Sequence, residues 1–352
     1  MLTDVFFRRY ENRPMFASVG QKVSALFVQA YRIVNEQIWK YYGYDKKVDE
    51  NVKAIWTGIH DRLSMEIGVK ELSPTYYSHQ TEWMGKPITN SGFYDMNIVI
   101  EHWLNFKFAD SLDPDVFVKR RLSFIELAFR TREEQVALAN AVFPKRLADA
   151  EMQDKMPPRS MTIPGRRSNG VRATNESMNR MFEANVDELN ERFKQADMPL
   201  HYHNGFIQIT QDERLQEQVE QPFWLLVKDA KWTNVSIDMA EAVDRRDTGG
   251  RDPSFYAAKA LESTIKIICD SRKWTTGNEK GVSDFLNHLE SKTNGAFIES
   301  WERQSMQRFY SDVRNDLGHG SGSKDMPNLS PHQIDQTIEF CMPWVKSLIK
   351  RL

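Results

Sequence analysis

An arginine and a histidine lie close together near the C-terminus of this 352-residue chain, in the sequence Arg-Asn-Asp-Leu-Gly-His at positions 314–319. Arginine stays charged, and its planar guanidinium pairs with phosphate oxygens. Histidine gives or takes a proton near neutral pH. Arg314 and His319 are therefore the two groups that metal-free phosphodiester cleavage requires, one to hold the phosphate and one to transfer protons.

The two residues occur where a helical pattern meets a glycine. On a continuous α-helix their side chains would point about 140° apart. Gly318 ends the predicted helix and frees the backbone at His319, so we expect the imidazole to swing toward the guanidinium. The spacing alone has little specificity, because a chain with 8 histidines contains such a pair by chance about half the time.

Four amphipathic helices are predicted to surround this pair from Gln221 onward. The first is predicted over about 222–246, and the second starts at 253 and is followed by a turn at 276–278 and a short apolar-periodic piece over 282–289. The third is predicted over about 296–317, and the fourth over 331–352. The second and fourth begin with Asp-Pro and Ser-Pro, an N-cap residue followed by proline at the first helical position. Four such helices joined by turns are typical of a helical bundle, and we assign residues 221–352 to it.

Residues 1–150 are predicted to form a mostly helical N-terminal domain. Apolar residues recur at helical spacing over 23–38 and 117–142. The stretch 73–93 contains prolines, glycines and aromatic residues, and is predicted to form loops with short strands. No motif that carries chemistry is evident in this region.

The segment 151–220 is predicted to contain a basic linker, a helix over 175–195 and a β-hairpin. Its basic side chains are Lys155, Arg159, Arg166, Arg167 and Arg172. They indicate either a solvated linker or an arm that contacts phosphates. The hairpin is predicted from Asn204-Gly205 between two alternating runs. It would place His201 and His203 on one face, either as strand histidines or as a metal pair without an evident third ligand.

Composition limits the function classes. The 47 basic and 49 acidic side chains give a formal net charge of -2, which argues against a protein that coats nucleic acid but allows a local basic cleft. Cys269 and Cys341 lack paired spacing, which fits a reducing compartment and excludes a cysteine-built zinc site. No apolar run approaches about 18 residues. We expect a cytoplasmic protein without a cofactor, since no phosphate-binding glycine loop or nucleophile elbow is present.

The bundle and its Arg-x4-His motif resemble the HEPN superfamily. The sequence Ala-Leu-Glu-Ser-Thr-Ile-Lys at 260–266 is similar to the Ala-x-Glu-Ser-x-x-Lys stretch of the abortive-infection C-terminal branch of that superfamily. The segments 202–205 and 230–246 are also similar to that branch, so the resemblance covers roughly 200–352. The N-terminal part resembles the N-terminal domains of AbiJ-type phage-defence proteins in its overall character.

The resemblance implies a mainly α fold and a metal-independent endoribonuclease that acts as a toxic effector of a bacterial anti-phage system. Members of the family usually form homodimers, here through the C-terminal bundle. His319 would act as general acid or base, Arg314 would hold the scissile phosphate, and Asn315 would orient one of them. Glu262 and Lys266 would support the site. A phage-derived or host trigger would act at the N-terminal domain.

Two other interpretations follow from the same residues. The charges near the motif are mixed, because Asp312, Asp316 and Asp325 flank it. A non-catalytic HEPN-like module that binds RNA or another protein would also fit. Glu262 and Lys266 are spaced as an ordinary helix-stabilising ion pair, which needs no active site.

Overall fold

A computed structural model describes residues 5–43, 45–83, 86–155, 166–210, 216–314 and 329–352. The chain is mainly α-helical, as predicted, and the strands in this described part form two antiparallel β-hairpins. It divides into two compact units, an N-terminal unit of residues 4–209 and a C-terminal unit of residues 210–352. The boundary lies inside the segment 151–220, which was predicted to lie between the N-terminal domain and the bundle.

One long helix organises the N-terminal unit. The elements are α1 (Phe6–Arg9), α2 (Gln21–Arg32) with a π-helical turn (Ile33–Ile38), α3 (Glu50–Ile67), β1 (Tyr76–Trp83), β2 (Lys86–Phe93), α4 (Met96–Leu104), α5 (Pro114–Lys155), α6 (Arg166–Gln195), β3 (Leu200–His203) and β4 (Phe206–Ile209). Helix α5 packs against α1, α2, α3 and α6. Its Phe124, Ile125 and Phe129 are fully buried, because these positions repeat at helical spacing and face the surrounding helices.

Helix α5 is longer than the predicted helix over 117–142, and it continues through Pro144 to Lys155. The extra turns are stabilised by α6, which runs antiparallel to α5. Arg172 pairs with Glu151 at 2.5 Å, and Arg167 donates to Gln153 at 2.7 Å. Residues 151–155 and 166–175 are therefore helical and do not form an extended linker. Residues 156–165, including Arg159, lie outside the described part of the chain.

The predicted hairpin at Asn204-Gly205 is confirmed. Strands β3 and β4 pair in register around it, and both turn residues have positive φ, 46° and 86°. This geometry is the one that Asn-Gly adopts most easily. The Arg130 side chain on α5 donates to the carbonyl oxygen of Gly205 at 2.7 Å, which fastens the turn to the long helix.

The C-terminal unit is a bundle of helices. Its elements are a π-helical turn (Gln216–Glu220) that leads into α7 (Gln221–Leu226), a 3-10 turn (Ala230–Trp232), α8 (Thr233–Thr248), α9 (Pro253–Ser271), α10 (Val282–Glu290), a 3-10 turn (Lys292–Asn294), α11 (Ser300–Phe309) with a π-helical turn (Tyr310–Arg314), and α12 (Pro331–Lys350). Helix α9 is central, since it packs against α8, α10 and α12. The first predicted helix, 222–246, is interrupted, because the chain turns between α7 and α8.

The two predicted helix starts differ in their capping. Ser330 forms a capping box with Gln333, whose side chain accepts from the Ser330 backbone N–H at 2.8 Å. Asp252 instead has a left-handed backbone with φ of 57°, and its side chain makes no capping hydrogen bond. Helix α9 still begins at Pro253 as predicted. The fixed φ of proline favours a first helical turn without help from the preceding side chain.

Candidate functional site

Arg314 is the last described residue of the third bundle helix. It ends the π-helical turn Tyr310–Arg314, which continues α11. The Arg314 side chain, together with Asn315 and His319, lies outside the described part of the chain. The sequence predicted an α-helix to Leu317, whereas the backbone widens at Tyr310. Single π-helical turns inside α-helices occur frequently at functional sites.

Neighbouring helices fix the place of this turn in the bundle. Helices α9 and α12 run parallel, because Ser254 contacts Thr337 at their starts (2.5 Å) and Arg272 donates to Leu352 at their ends (2.8 Å). Helix α11 runs the opposite way, since Glu302 near its start pairs with Arg351 at 2.6 Å. The turn at Arg314 therefore reaches the end of the bundle where α9 and α12 begin.

Glu262 and Lys266 meet on α9, as their spacing predicted. The Lys266 Nζ lies 2.7 Å from the Glu262 Oε1, with 13% of the glutamate side chain and 44% of the lysine side chain exposed. The ammonium also lies 5.6 Å from the centre of the Phe285 ring. This geometry holds the carboxylate close to the helix surface.

The positions of Glu262 and Lys266 along the bundle axis can be compared with the position of the Arg314 turn. The Tyr310 hydroxyl donates to the carbonyl oxygen of Ala258 at 3.2 Å. Glu262 follows Ala258 by about 6 Å along α9 and Lys266 by about 12 Å. The chain runs from Tyr310 to Arg314 in the opposite direction, so Glu262 is the nearer of the two to the turn.

A second ion pair lies one turn before the Glu262–Lys266 pair on the same helix. Lys259 Nζ lies 2.8 Å from Asp238 on α8, and the Ser263 hydroxyl lies 3.5 Å from the other carboxylate oxygen. The hydrogen bond to Asp238 raises the pKa of Lys259 above its ordinary value. Lys259, Glu262 and Lys266 recur at steps of three and four, with Ser263 beside Glu262, so α9 carries a continuous polar band.

A buried charged cluster occurs at the end of the bundle that the turn reaches. The Arg246 Nε lies 3.0 Å from Asp247 and 3.8 Å from Asp335. Burial raises the pKa of the nearby Glu220 above its ordinary value, and the charge on Arg246 opposes that shift. Sequence reasoning missed this cluster, because its members are distant in sequence and no local pattern joins them.

The two hairpin histidines lie on one face of β3, as predicted, with ring centres 5.7 Å apart. Burial lowers the pKa of His201 to about 4 and that of His203 well below its ordinary value, so both rings are neutral at pH 7. Within the described ranges, no group of three or more His, Cys, Asp or Glu residues is placed to hold a metal ion. No helix in the same ranges is both long and apolar enough to span a bilayer.

Cys269 and Cys341 are buried free thiols in the core of the C-terminal unit. Burial raises the pKa of Cys269 to about 12 and that of Cys341 above its ordinary range. A thiol is a nucleophile only as the thiolate. Neither cysteine is therefore suited to covalent catalysis in the folded protein.

Residues 4–225 match the family model for AbiJ N-terminal domain 4. The match covers the whole N-terminal unit and extends into α7. No curated protein and no solved structure shows significant similarity to the chain. The matched domain connects the chain with abortive infection, a form of phage defence. With well over half of its length matched, the chain belongs to the AbiJ N-terminal domain 4 family.

Proposed function

We propose that the chain is an abortive-infection effector whose C-terminal unit is a HEPN-like bundle that cleaves RNA without a metal ion. The observation that carries this proposal is the place of the Arg314 turn at one end of a helical bundle. The family domain occupies the remainder of the chain and supports a role in phage defence. In this proposal, the N-terminal unit senses a phage-derived or host trigger and restrains the bundle until infection.

The proposed reaction is an internal transesterification of RNA. His319 takes the proton from a ribose 2′-OH, and the 2′-oxygen attacks the adjacent phosphorus as the bond to the 5′-oxygen breaks. A protonated imidazole gives a proton to the leaving 5′-oxygen. The products are a 2′,3′-cyclic phosphate and a free 5′-OH. The 2′-OH is the nucleophile, so DNA is not a substrate.

The other named residues act on charge and position. Arg314 holds the phosphate and stabilises the negative charge that builds on it in the transition state. Asn315 orients the phosphate or the imidazole. Glu262 is the proposed positioning residue for the motif, because it lies nearer the turn. Lys266 holds the Glu262 carboxylate in place at 2.7 Å.

The proposed active form is a homodimer joined through the C-terminal unit. One imidazole cannot be both the base and the acid in a single step. Two chains with facing motifs supply two histidines and two arginines. The second guanidinium also raises the local positive potential that RNA binding needs.

A non-catalytic role is the second candidate, and one observation favours it. Arg308, the described arginine just before the turn on α11, is neutralised by a carboxylate, since it pairs with Asp312 at 3.2 Å. A charge-balanced surface suits a module that holds a protein or RNA without cutting it.

The test of the proposed function is toxicity and RNA integrity in cells. The full chain is expressed as wild type, as His319→Ala, and as His332→Ala. His332 is an exposed histidine on α12 and serves as the matched control. We expect wild type and His332→Ala to degrade RNA and arrest growth, and His319→Ala to do neither. RNA cleavage that persists undiminished in His319→Ala would refute the proposed catalytic role. Binding of RNA without cleavage by any of the three would favour the second candidate.

A further inference from the structure

A row of aromatic side chains lies along the face shared by α11 and α12. We call it the aromatic band, and its members are Trp301, Trp344, Phe340 and Phe309. Successive ring centres are 6.2, 6.2 and 4.7 Å apart. The band passes from Trp301, which is 65% exposed, to Phe309, which is buried. Phe309 directly precedes the turn Tyr310–Arg314, so the band leads to the proposed catalytic motif.

The band has the features of an association hot spot. Trp301 contacts the Trp344 ring, which in turn contacts Phe340, so the exposed indole is braced by other rings. A side chain that is already ordered loses little entropy on binding. Large rigid aromatic groups with polar neighbours supply most of the binding energy in many protein interfaces.

The charges beside the band are self-complementary. Trp301, Ser305 and Arg308 on α11 and Asp312 in the following π-helical turn recur at steps of three and four, so they share one side of the helix. Arg308 and Asp312 form an ion pair whose side chains are 84% and 59% exposed. A two-fold axis places the same patch on both copies in reverse order. Each Arg308 can then face the Asp312 of the other copy.

We infer that a second copy of this chain docks on the aromatic band about a two-fold axis. The inference rests on the proposed function, because it supplies the contact surface for the proposed dimer. Because Arg308 of each copy faces Asp312 of the other, the axis passes near Tyr310, and the two Tyr310–Arg314 turns lie next to each other. Contact between the two copies buries the Trp301 indole, the most exposed member of the band.

RNA is a less suitable occupant of this surface. Bases stack on aromatic rings, but nucleic-acid surfaces also need net positive charge. Three arginines on α11 and at the end of α12 are each paired with a carboxylate. Their partners are Glu290 for Arg303, Asp312 for Arg308 and Glu302 for Arg351. An aromatic surface with balanced charges is typical of protein association.

The test is the mass of the full chain in solution, measured by sedimentation velocity over a concentration series. Trp301→Ser is compared with Leu225→Ser, a matched control because Leu225 is 64% exposed on α7 of the same unit. We expect a wild-type dimer, an unchanged dimer for Leu225→Ser, and at least tenfold weaker association for Trp301→Ser. A monomeric wild type, or equal association of the two variants, would overturn the inference.

Charge exchange provides a second test that leaves the aromatic side chains intact. Arg308→Asp and Asp312→Arg each place like charges across the two-fold axis, so both single variants should associate several-fold more weakly. The double variant restores opposite charges and should recover wild-type association. A double variant that stays as weak as the single variants would count against the two-fold arrangement.

RNA cleavage measured on the same samples separates this inference from the proposed function. A dimer that depends on Trp301 but leaves RNA intact supports the inference and contradicts the ribonuclease. A monomeric wild type that cleaves RNA supports the ribonuclease activity, but it contradicts both the inference and the dimeric form of the proposed mechanism. If Trp301→Ser weakens RNA binding without changing the mass of the protein, the band is a nucleic-acid surface and the inference is wrong.

Discussion

The Tyr310 hydroxyl donates a hydrogen bond to the main-chain carbonyl oxygen of Ala258 at 3.2 Å, in the core of the C-terminal unit. The bond joins the first residue of the turn that ends at Arg314 to the central helix α9. Ala258 lies one helical turn before Glu262, so the same helix positions the turn and the carboxylate proposed to support it. The position of Arg314 therefore depends on α9 as well as on its own helix.

Replacing Tyr310 with phenylalanine tests this tether. The ring is retained and one hydrogen bond is lost, so we expect the free energy of unfolding to fall by only about 1 kcal/mol. RNA cleavage should fall further than that loss of stability explains, because the turn is no longer held at one position along α9. The measurement is kcat/KM for RNA cleavage beside urea unfolding.

Tyr256→Phe is the control for this variant. Tyr256 lies on α9, and its ring faces Arg245 at 4.3 Å. Cleavage should be unchanged in this variant. Equal activities of Tyr310→Phe and wild type would show that the tether does not position the motif.

The ion pair on α9 gives a second prediction. Glu262→Gln keeps the shape of the side chain and removes its charge. The Lys266 partner is 44% exposed, so we expect stability to change by less than about 1 kcal/mol. Cleavage should fall at least tenfold if Glu262 positions the motif. Asp238→Asn is the matched control, because Asp238 pairs with Lys259 on the same helix at 2.8 Å. Similar activity in the two variants would leave Glu262 with a structural role only.

A buried carboxylate in the N-terminal unit gives a third prediction. Glu126 is fully buried and pairs with Arg9 and Arg130, each at 2.6 Å, while also accepting from the Ile207 backbone N–H at 2.8 Å. Glu126→Gln removes the negative charge that pairs with both buried guanidinium groups, and breaking a buried ion pair typically costs about 3–5 kcal/mol.

Chemical unfolding of the N-terminal unit checks this cost. Glu11→Gln is the control, because the Arg8–Glu11 pair is exposed and should contribute less than about 1 kcal/mol. Equal unfolding midpoints for the two variants would mean that the buried network contributes no more than a surface pair.

The pH dependence of stability follows from the buried histidine on β3. Burial lowers the pKa of His201 to about 4, whereas it is 6.5 for an ordinary histidine. As pH falls below about 6.5, the unfolded chain binds a proton that the folded chain excludes, so stability is lost until pH reaches about 4. A shift of this size corresponds to about 3 kcal/mol.

His201→Asn should flatten this dependence, because asparagine does not titrate. Thermal unfolding of wild type and variant at pH 7.5 and pH 5 measures the difference. The difference in unfolding temperature between pH 7.5 and pH 5 should be smaller in the variant. An identical temperature difference in wild type and variant would show that His201 is not the titrating group. The pKa of His203 is also lowered. A His203→Asn variant measures its contribution to the pH dependence separately from that of His201.

Local signals predicted the parts of the fold that depend on neighbouring residues. Asn204-Gly205 predicted the hairpin, because both residues tolerate the positive φ that the turn requires. Ser330-Pro331 predicted the start of α12, and the capping box with Gln333 explains it. The apolar stripe of α9 was also found, since Leu261 and Ile265 are fully buried where the spacing placed them.

Long-range contacts could not be predicted from the sequence. Arg9 and Glu126 are 117 residues apart in the sequence, and no local pattern predicts that they form a buried bidentate ion pair. Helix α5 extends past Pro144 because α6 packs along it, which overrides the tendency of proline to end a helix. The π-helical turn at Tyr310 also has no sequence signal. At the candidate site, the Glu262–Lys266 pair follows from spacing, whereas Asn315 and His319 lie outside the described residues.

The most direct test of the central claim is the chemistry of RNA cleaved by the purified full chain in the presence of a metal chelator. Wild type should release fragments that end in 2′,3′-cyclic phosphate and begin with a 5′-OH. Arg314→Ala and His319→Ala should each lose at least a hundredfold in rate, while His332→Ala keeps the wild-type rate. Cleavage that stops on chelation, or that continues at the wild-type rate without the Arg314 and His319 side chains, would contradict the account.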